Sequence, residues 1–316
     1  MKNIIGEIKK LVLSSKTAII ASHIDPDGDT LGSMIGLAII LKRVGLDCVM
    51  YSQDGVPNTY KFLSHSDEVV NKAPKTEFDL LIAVDSSDIS RIGEHKINAK
   101  KIINIDHHPD NTNFGDINFV ELLSAVAEQI YHIAIEFGVK IDEEIAEALY
   151  VSIITDTGNF KYSNTLPSTF YVAGELVNAG ANPFKLANQV YENQSVSSFK
   201  LLAKALESME VVKNSKVAYS VITHQMIVDV QARGDDFVGI IDHLRSLKNV
   251  EVAVLFREEE REKYKINFRS KGSVNVSKIA KELGGGGHVK ASGCIVSGRL
   301  EEVKNKVLNL LLPEIK

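Results

Sequence analysis

Short apolar segments alternate with longer helical ones over the first two thirds of the chain. Strands are predicted over residues 17–22, 47–52, 78–85 and 100–106. Helices are predicted over residues 31–45, 124–138, 143–155, 168–180 and 197–210. Because parallel strands need crossover connections, this alternation is typical of an α/β domain with a doubly wound, mainly parallel sheet.

The pattern changes after Glu210. Predicted strands cover residues 216–223, 250–256 and 263–270, and predicted helices cover residues 235–247 and 276–283. Four glycines and a histidine follow the last of these helices. We therefore predict three parts: a first domain over residues 1–190, a helical connector over 191–212 and a smaller α/β domain over 213–316.

The composition of this 316-residue chain, with 44% apolar residues, is that of a globular protein. Its net charge of -5 gives no general attraction to long nucleic acid, so a nucleic-acid substrate should be short. Cys48 and Cys294 lack a CxxC pattern, which suits a reducing cytoplasm. Residues 1–16 predict an amphipathic surface helix and not a signal peptide, and no run reaches the roughly 18–20 apolar residues of a membrane span.

Side chains that can bind metal follow three of the predicted strands and end one predicted helix. They are His23, Asp27 and Asp29 after the first strand, Asp85 after the third, Asp106, His107 and His108 after the fourth, and Asp156 at the helix end. Since ligands of open parallel sheets bind beyond the carboxyl ends of the strands, we expect these side chains to converge.

Each group alone also has a simpler interpretation. Residues 25–28, DPDG, form a good turn sequence, and Asp85 or Asp156 could be a helix cap. A calcium loop of the EF-hand type is excluded, because Thr30 stands where that loop needs glycine and Gly36 where it needs glutamate. The occurrence of all four groups at element ends favours a metal site.

The donor set indicates which metal. Two imidazoles with four carboxylates and no thiolate are too rich in nitrogen for calcium and too rich in oxygen for structural zinc. Manganese suits this set, with magnesium, cobalt or iron as substitutes. Six ligands are too many for one catalytic ion with open positions, so we predict two Mn²⁺ ions that share a bridging carboxylate.

These segments resemble the motifs of one superfamily. HIDPDGDTLGS, VDSSD, DHH and TDTG look like the four motifs of the DHH phosphoesterase superfamily, in the same order. FRSK and GGGGHVKASG look like the DHH-associated domain that follows in one subfamily. The likeness covers nearly the whole chain and is strongest to bacterial nano-RNases that also act on 3′-phosphoadenosine 5′-phosphate (pAp). It implies a catalytic metal-binding domain, a substrate-binding domain and an active site in the cleft between them.

The resemblance also implies a role for each metal ligand. His23 and Asp27 would hold one ion. Asp29, His107 and Asp156 would hold the other, and a shared ligand, Asp85, would bridge the two. Asp25 falls on a variable position of the first motif and is left out of the set.

Further roles implied by the resemblance concern catalysis and substrate. Asp106 would orient a histidine, and His108 would face the scissile phosphate, so that Asp85, Asp106 and His108 form the catalytic set. The implied substrate-binding residues are His108, Arg269, Ser270, Gly286, Gly287 and His288. From the residues alone, the glycine run is either a phosphate-binding loop or a helix cap with a flexible loop. Arg91 either contacts substrate or pairs with Asp88.

The predicted reaction is metal-assisted phosphoester hydrolysis, in which a bridging hydroxide attacks phosphorus in line. The expected substrates are short RNA, cleaved to mononucleotides, and pAp, converted to AMP. Long duplex nucleic acid and membranes are not expected partners, and the chain would be a monomer or homodimer. Four alternatives stay open: a cyclic or linear dinucleotide phosphodiesterase, a manganese pyrophosphatase, a single-strand DNA exonuclease and a non-catalytic nucleotide sensor.

Overall fold

The computed structural model describes residues 2–93, 97–287 and 289–315. His288, one of the predicted substrate-binding residues, lies outside the described residues. The chain divides into two compact units, the first ending at Asn193 and the second beginning at Gln194. Each unit contains its own sheet and its own hydrophobic core.

The first unit is built on a parallel sheet. Its described strands are β1 (Thr17–Ala21), β2 (Asp47–Tyr51), β3 (Phe78–Val84), β4 (Ala99–Asp106) and β5 (Ile117–Val120). Its described helices are α1 (Lys2–Leu13), α2 (Gly28–Arg43), α3 (Val126–Phe137), α4 (Glu143–Asp156), α5 (Pro167–Asn178) and α6 (Pro183–Tyr191). The strand order is β2-β1-β3-β4-β5, and the adjacent strands are parallel. The order reverses between β1 and β3, which is where sheets of this kind bind ligands.

Apolar residues of the strands alternate between the two faces of this sheet. Ile20 and Ile82 belong to the larger cluster, which also contains the buried residues of α1 to α4. Ile19 and Leu81 belong to a smaller cluster on the other face, together with Ile92 from the segment after β3. The side chain of Ile92 therefore anchors the loop that leaves β3 against the sheet.

Helices α2 and α4 pack closely because glycine recurs every four residues along α2, at Gly28, Gly32 and Gly36. A Cβ atom at Gly32 would lie 3.0 Å from the backbone nitrogen of Ser152 and would overlap the carbonyl oxygen of Ala148. The contact brings the first turn of α2 beside the last turn of α4. The two ends that carry predicted ligands are therefore neighbours.

The second unit contains a mixed sheet. Its described strands are β6 (Glu210–Val212), β7 (Val217–Ile222), β8 (Val252–Glu260), β9 (Lys263–Ser270), β10 (Gly286–Gly287) and β11 (Ala291–Ser297). Its described helices are α7 (Val196–Glu207), α8 (His224–Val230), α9 (Ile240–Ser246), α10 (Val276–Glu282) and α11 (Leu300–Leu311). The strand order is β10-β11-β9-β8-β7-β6; β7 and β8 are parallel, and the other neighbouring pairs are antiparallel.

The two faces of this second sheet carry separate clusters. Buried residues of α10 and α11, such as Ile279 and Val307, pack with one face. Buried residues of α7 and α9, such as Leu201 and Leu244, pack with the other face. Helix α7 thus belongs to the core of the second unit, although residues 191–212 were expected to connect two domains.

The predicted fold class, an α/β sheet domain followed by a second, smaller α/β domain, is confirmed. The predicted domain boundaries stay a prediction. The helix predicted over residues 31–45 begins earlier, at Gly28, because Asp27 caps it inside the acidic motif. Strand β5 and helix α6 are short and were not predicted. No helix among the described residues combines the length and the apolar character that crossing a bilayer requires.

Candidate metal centre

The turn from β1 into α2 carries three of the predicted ligands. The Asp27 carboxylate caps α2 by accepting a hydrogen bond from the backbone N–H of Thr30 at 3.1 Å. Asp29 lies in the first turn of α2 and is only 1% exposed. The Nδ1 atom of His23 donates to the carbonyl of Ile24 at 2.7 Å, so Nε2 is the atom that His23 can offer to a ligand.

The buried carboxylate of Asp29 is held by several donors. The hydroxyl of Ser152 on α4 donates at 2.5 Å, that of Ser33 at 3.2 Å, and the backbone N–H of Val126 lies 3.2 Å from both carboxylate oxygens. Because Ser152 lies on α4, the close packing of α2 and α4 fixes the Asp29 side chain. Burial and the nearby charge of Asp85 raise the pKa of Asp29 well above its ordinary value.

Asp85 follows β3 in the left-handed backbone region, with a φ of 57° that is costly for most residues and is found at functional sites. Its Oδ2 atom accepts a hydrogen bond from the Thr30 hydroxyl at 2.6 Å and lies 3.4 Å from Nε2 of His23. Its buried Oδ1 atom has no hydrogen-bond partner among the described residues and lies 3.4 Å from Nε2 of His107. Asp85 therefore stands between two imidazoles.

The electrostatics of Asp85 follow from that position. Burial alone would raise the pKa of its carboxyl group, but the His107 and His23 imidazoles lower it well below the ordinary value. Asp85 is consequently a charged group in a buried position, and the orphaned Oδ1 atom is suited to a cation.

The two histidines after β4 are oriented by different partners. Nδ1 of His107 donates to the carbonyl of Leu123 at 3.0 Å, and Nε2 lies 3.6 Å from Oδ2 of Asp29. Nδ1 of His108 lies 2.7 Å from Oδ1 of the buried Asp106, whose Oδ2 accepts from Asn111 at 2.6 Å. The two rings are nearly perpendicular, at 88°, so the histidines present their nitrogens in different directions.

Asp156 ends α4 and is half-buried. The side-chain amide of Asn164 donates to its Oδ2 atom at 3.0 Å, to its backbone carbonyl at 3.1 Å and to the carbonyl of Ser124 at 3.1 Å. Burial raises the pKa of Asp156 to about 6, although the His107 charge acts in the opposite direction. Asn164 thus fixes the rotamer of a carboxylate at the edge of the cluster.

These side chains form three overlapping groups whose potential ligand atoms lie within 4.8 Å of one another. The groups are His23 with Asp27 and Asp85, Asp29 with His107 and Asp156, and Asp85 with His107 and His108. The structure therefore brings all six predicted ligands together. Asp25, which the resemblance leaves out, is exposed and belongs to none of these groups within the described residues.

The cluster fits divalent cations. Burial would lower the pKa of His107, but the carboxylates of Asp85 and Asp156 raise it well above the ordinary value. The pKa of His23 is raised for the same reason, by Asp85 and Asp27 against the effect of burial. The same carboxylates would favour a divalent cation in place of those protons, and this set of nitrogen and oxygen donors fits a divalent metal ion.

The predicted substrate-binding residues of the second unit are less constrained. Arg269 is half-buried on β9, donates to the carbonyl of Phe268 at 3.2 Å and has no carboxylate partner among the described residues. Ser270 is only 3% exposed, and its hydroxyl has no partner in the described part of the chain. The role of Ser270 in substrate binding stays a prediction.

Three of the four consecutive glycines have a local structural reason. Gly284 follows the end of α10 with a φ of 80°, and Gly287 has a φ of 128°. A Cβ atom at Gly285 would lie 2.5 Å from the Cβ of Cys294 and would overlap the carbonyl oxygen of Gly293. At Gly286 a Cβ atom would meet no atom of the described residues within 4 Å, so no contact there requires glycine.

A parallel α/β sheet with carboxylates and imidazoles gathered beyond its strand ends is the architecture of a metal-dependent hydrolase. Residues 17–153 match the DHH family, N-terminal domain, and residues 214–315 match the DHHA1 domain. The bifunctional oligoribonuclease and PAP phosphatase NrnA of Thermus thermophilus is 34% identical over 307 residues, which cover 94% of this chain and 89% of that protein. The chain belongs to the DHH family of metal-dependent phosphoesterases.

Two further similarities bear on fold and substrate. An exopolyphosphatase-related protein from Bacteroides fragilis has a TM-score of 0.90 to this chain at 26% identity, covering 98% of this chain and 96% of the other. The cyclic-di-AMP phosphodiesterase PdeA of Listeria monocytogenes is 24% identical over 311 residues. Those residues cover 89% of this chain but only 45% of the Listeria protein.

Sequence reasoning missed the residues that hold the cluster in place. Ser152, Asn164 and Asn111 each donate to a carboxylate of the cluster, and Thr30 lies between His23 and Asp85. Thr30 lies inside the first motif, where its neighbours could have indicated its role. Ser152 and Asn164 contact the cluster only through tertiary packing, so no local pattern identifies them.

Proposed function

We propose that this chain is a two-metal phosphoesterase that cleaves short RNA to mononucleotides and removes the 3′-phosphate of pAp to give AMP. The observation that carries the proposal is the buried cluster of two imidazoles and four carboxylates at the strand ends. It stands in a chain that is similar over nearly its full length to a protein named oligoribonuclease and PAP phosphatase.

The proposal assigns the two groups of ligands to two Mn²⁺ ions. His23, Asp27 and Asp85 would hold one ion, and Asp29, His107 and Asp156 the other, with Asp85 shared. When bound, such ions lower the pKa of a water molecule and neutralise charge on phosphoryl oxygens. The close packing of α2 against α4 keeps Asp29 and Asp156 in place. The left-handed backbone of Asp85 orients its carboxylate toward both groups.

His108 has a separate role in this proposal. Asp106 accepts the hydrogen bond of Nδ1, so the tautomer of His108 is set by a buried carboxylate. We assign Nε2 of His108 to the scissile phosphate, where the imidazolium form, with a proton on each ring nitrogen, donates a hydrogen bond to a phosphoryl oxygen or passes its Nε2 proton to the leaving 3′-oxygen. Asn111 holds Asp106 from its other oxygen and acts through it.

The second unit would bind the rest of the substrate. Arg269 is a cation without a carboxylate partner among the described residues, which supports a role with an anionic ligand. Gly286 would let a phosphate approach the backbone N–H groups, and His288 would add a donor. The proposal includes a cytoplasmic location and a monomeric or homodimeric state.

A turnover assay with added Mn²⁺ across pAp, short RNA, cyclic dinucleotides and pyrophosphate tests this function. We expect hydrolysis of pAp and of RNA of a few nucleotides, with kcat/KM falling for RNA of about twenty nucleotides, since a net charge of -5 gives no gain per added phosphate. Equal or better efficiency on the long RNA would favour a processive exonuclease. Hydrolysis of pyrophosphate alone would favour a pyrophosphatase, and no turnover with bound nucleotide would favour a sensor.

A second candidate is a cyclic or linear dinucleotide phosphodiesterase. It is favoured by the similarity to the cyclic-di-AMP phosphodiesterase of Listeria monocytogenes, which is weaker than the similarity to the Thermus thermophilus protein. The same metals would serve both reactions, so the distinction lies in the substrate pocket. A higher kcat/KM on cyclic-di-AMP than on pAp in the same assay would establish this candidate.

A further inference from the structure

Arg91 lies in the segment that leaves β3, between the predicted ligand Asp85 and the buried Ile92. A short 3₁₀ turn over Ile89–Ile92 contains it. Ile92 is 4% exposed and packs against one face of the sheet. The backbone N–H of Ile24 donates a hydrogen bond to the Arg91 carbonyl at 2.7 Å. Because Ile24 follows His23 directly, the backbone of Arg91 is fixed beside one edge of the metal cluster.

Asp88, at the start of the same turn, is not a partner of Arg91. The Asp88 carboxylate accepts hydrogen bonds from the backbone and hydroxyl of Ser90, at 3.0 and 2.6 Å, and from the hydroxyl of Thr112 at 3.1 Å. The Asp88 carboxylate therefore caps the 3₁₀ turn and does not pair with Arg91. The sequence left pairing with Asp88 open as an explanation of Arg91, and the structure does not support it.

Arg91 is half-buried, and its guanidinium has no hydrogen bond or ion pair with another described residue. Arg43, in the same unit, shows the usual alternative, because its guanidinium pairs with Asp142 at 2.6 Å. The positive charge of Arg91 does act on the cluster, since it opposes the rise in the pKa of His23 that Asp85 and Asp27 cause. A cation held beside the cluster with no carboxylate partner among the described residues is suited to an anionic ligand.

Charge balance indicates which ligand. Two divalent ions would carry four positive charges and would offset the four carboxylates of Asp27, Asp29, Asp85 and Asp156. The phosphates of the substrate then need positive charge from the protein. Arg91 makes no hydrogen bond with any of the six predicted ligands among the described residues, so its charge is not used to hold them. Its place in the segment after Asp85, with its carbonyl bonded to Ile24, favours contact with the part of the substrate next to the reacting phosphate.

We infer that Arg91 binds the non-scissile phosphate of the substrate, such as the 5′-phosphate of pAp or of a short RNA. This assignment rests on the proposed function and adds a specificity-determining residue to it. The fork of N–H donors on a guanidinium matches a phosphate dianion, and a lysine in this position would supply charge without that geometry.

The experiment compares pAp with adenosine 3′-phosphate, which has the same scissile group and no 5′-phosphate. Arg91→Gln should lower kcat/KM for pAp roughly 10- to 100-fold, because a charge-assisted hydrogen bond is lost, and should leave that for adenosine 3′-phosphate within about twofold. Arg91→Lys should recover part of the loss on pAp. Arg43→Gln removes the same charge from the same unit and should change neither substrate. Calorimetric titration with Mn²⁺ should give wild-type stoichiometry for each variant.

The outcomes separate this inference from the proposed function. A wild-type chain that hydrolyses neither RNA nor pAp with Mn²⁺ would overturn the function and the inference together. A wild-type chain that hydrolyses pAp, with Arg91→Gln impaired equally on both substrates, would overturn the inference alone. Wild-type kcat/KM of Arg91→Gln on pAp would also overturn the inference, since Arg91 would then have no role in binding substrate. Loss of bound metal in Arg91→Gln would overturn it as well, since Arg91 would then have a structural role.

Discussion

The metal cluster of the first unit and the glycine-rich segment of the second unit differ in how far protein contacts alone explain them. In the cluster, Asp29, Asp106 and Asp156 each accept hydrogen bonds from side chains that the fold brings to them. In the second unit, the Arg269 guanidinium has no carboxylate partner among the described residues, and a Cβ atom added at Gly286 would meet none of their atoms within 4 Å. The first region is organised by the chain itself, whereas the second has groups whose explanation lies in a ligand.

The difference has a physical origin. Buried carboxylates repel one another and are costly to desolvate, so the chain must supply donors and nearby positive charge to hold them. A half-exposed arginine or a glycine in open space costs little and needs no such support. The cluster can therefore be recognised from its contacts, while the second region has to be tested by its effect on substrates.

The largest effect is expected at the carboxylate that the two groups of ligands share. Asp85→Asn keeps a residue that tolerates the left-handed backbone but removes the charge. It should abolish hydrolysis of every substrate, a loss beyond the roughly 10- to 100-fold that follows removal of an orienting partner. Titration with Mn²⁺ should show fewer than two ions bound, and circular dichroism should show an intact fold.

Asp25→Asn is the matched control, because Asp25 also has a left-handed backbone, with a φ of 54°, but is exposed outside the cluster. It should retain activity and both ions. Near-wild-type turnover of Asp85→Asn would contradict a dinuclear site. The metal cluster would then differ from the glycine-rich segment in its contacts but not in its importance for hydrolysis.

The next effect concerns the second unit. Arg269→Gln should lower kcat/KM for pAp roughly 10- to 100-fold through loss of a charge-assisted contact to phosphate. Bis(p-nitrophenyl) phosphate lacks the nucleotide part of the substrate, so its hydrolysis should be largely unchanged, as should Mn²⁺ binding. His288→Ala should behave in the same way.

Arg299→Gln serves as the control in the same unit, because the Arg299 guanidinium pairs with Glu302 on the surface. If Arg269→Gln lowered kcat/KM equally for both substrates, or lost bound metal, Arg269 would instead have a catalytic or a structural role.

A comparable but more selective effect is expected at Asn164. Asn164→Ala removes the donor that fixes the Asp156 carboxylate at 3.0 Å and should weaken binding of one Mn²⁺ ion by roughly 10- to 100-fold. The second ion should bind as before, and activity should recover when more Mn²⁺ is added. Asn178→Ala is the control, because the side chain of Asn178 contacts only the exposed Glu175 among the described residues. Wild-type affinity in Asn164→Ala would mean that Asp156 needs no orienting partner.

These residues also show what the sequence could and could not predict. His23, Asp27, Asp85 and His107 follow apolar strands directly, so their meeting at one sheet edge followed from the topology. Asn164 reaches Asp156 from a loop, and Ser152 reaches Asp29 only because the glycines of α2 admit α4. Contacts of that kind depend on the packing of two helices, for which the local sequence contains no signal. The short elements β5 and α6 escaped prediction because few residues define their pattern.

The smallest effect is expected from two neighbouring glycines, and it separates fold from function within the second unit. At Gly285 an added methyl group would overlap the carbonyl oxygen of Gly293 on β11, so Gly285→Ala should lower the free energy of unfolding by about 1–3 kcal/mol. At Gly286 the added methyl group would meet nothing within 4 Å, so Gly286→Ala should change that free energy by no more than about 0.5 kcal/mol. Urea denaturation of the two variants measures this difference. If a phosphate approaches the backbone at Gly286, the stable variant should nevertheless lose affinity for pAp while keeping its turnover of bis(p-nitrophenyl) phosphate. A Gly286→Ala variant with wild-type kcat/KM on pAp would show that the glycine run serves only the turn between α10 and β11, and that substrate is bound by side chains.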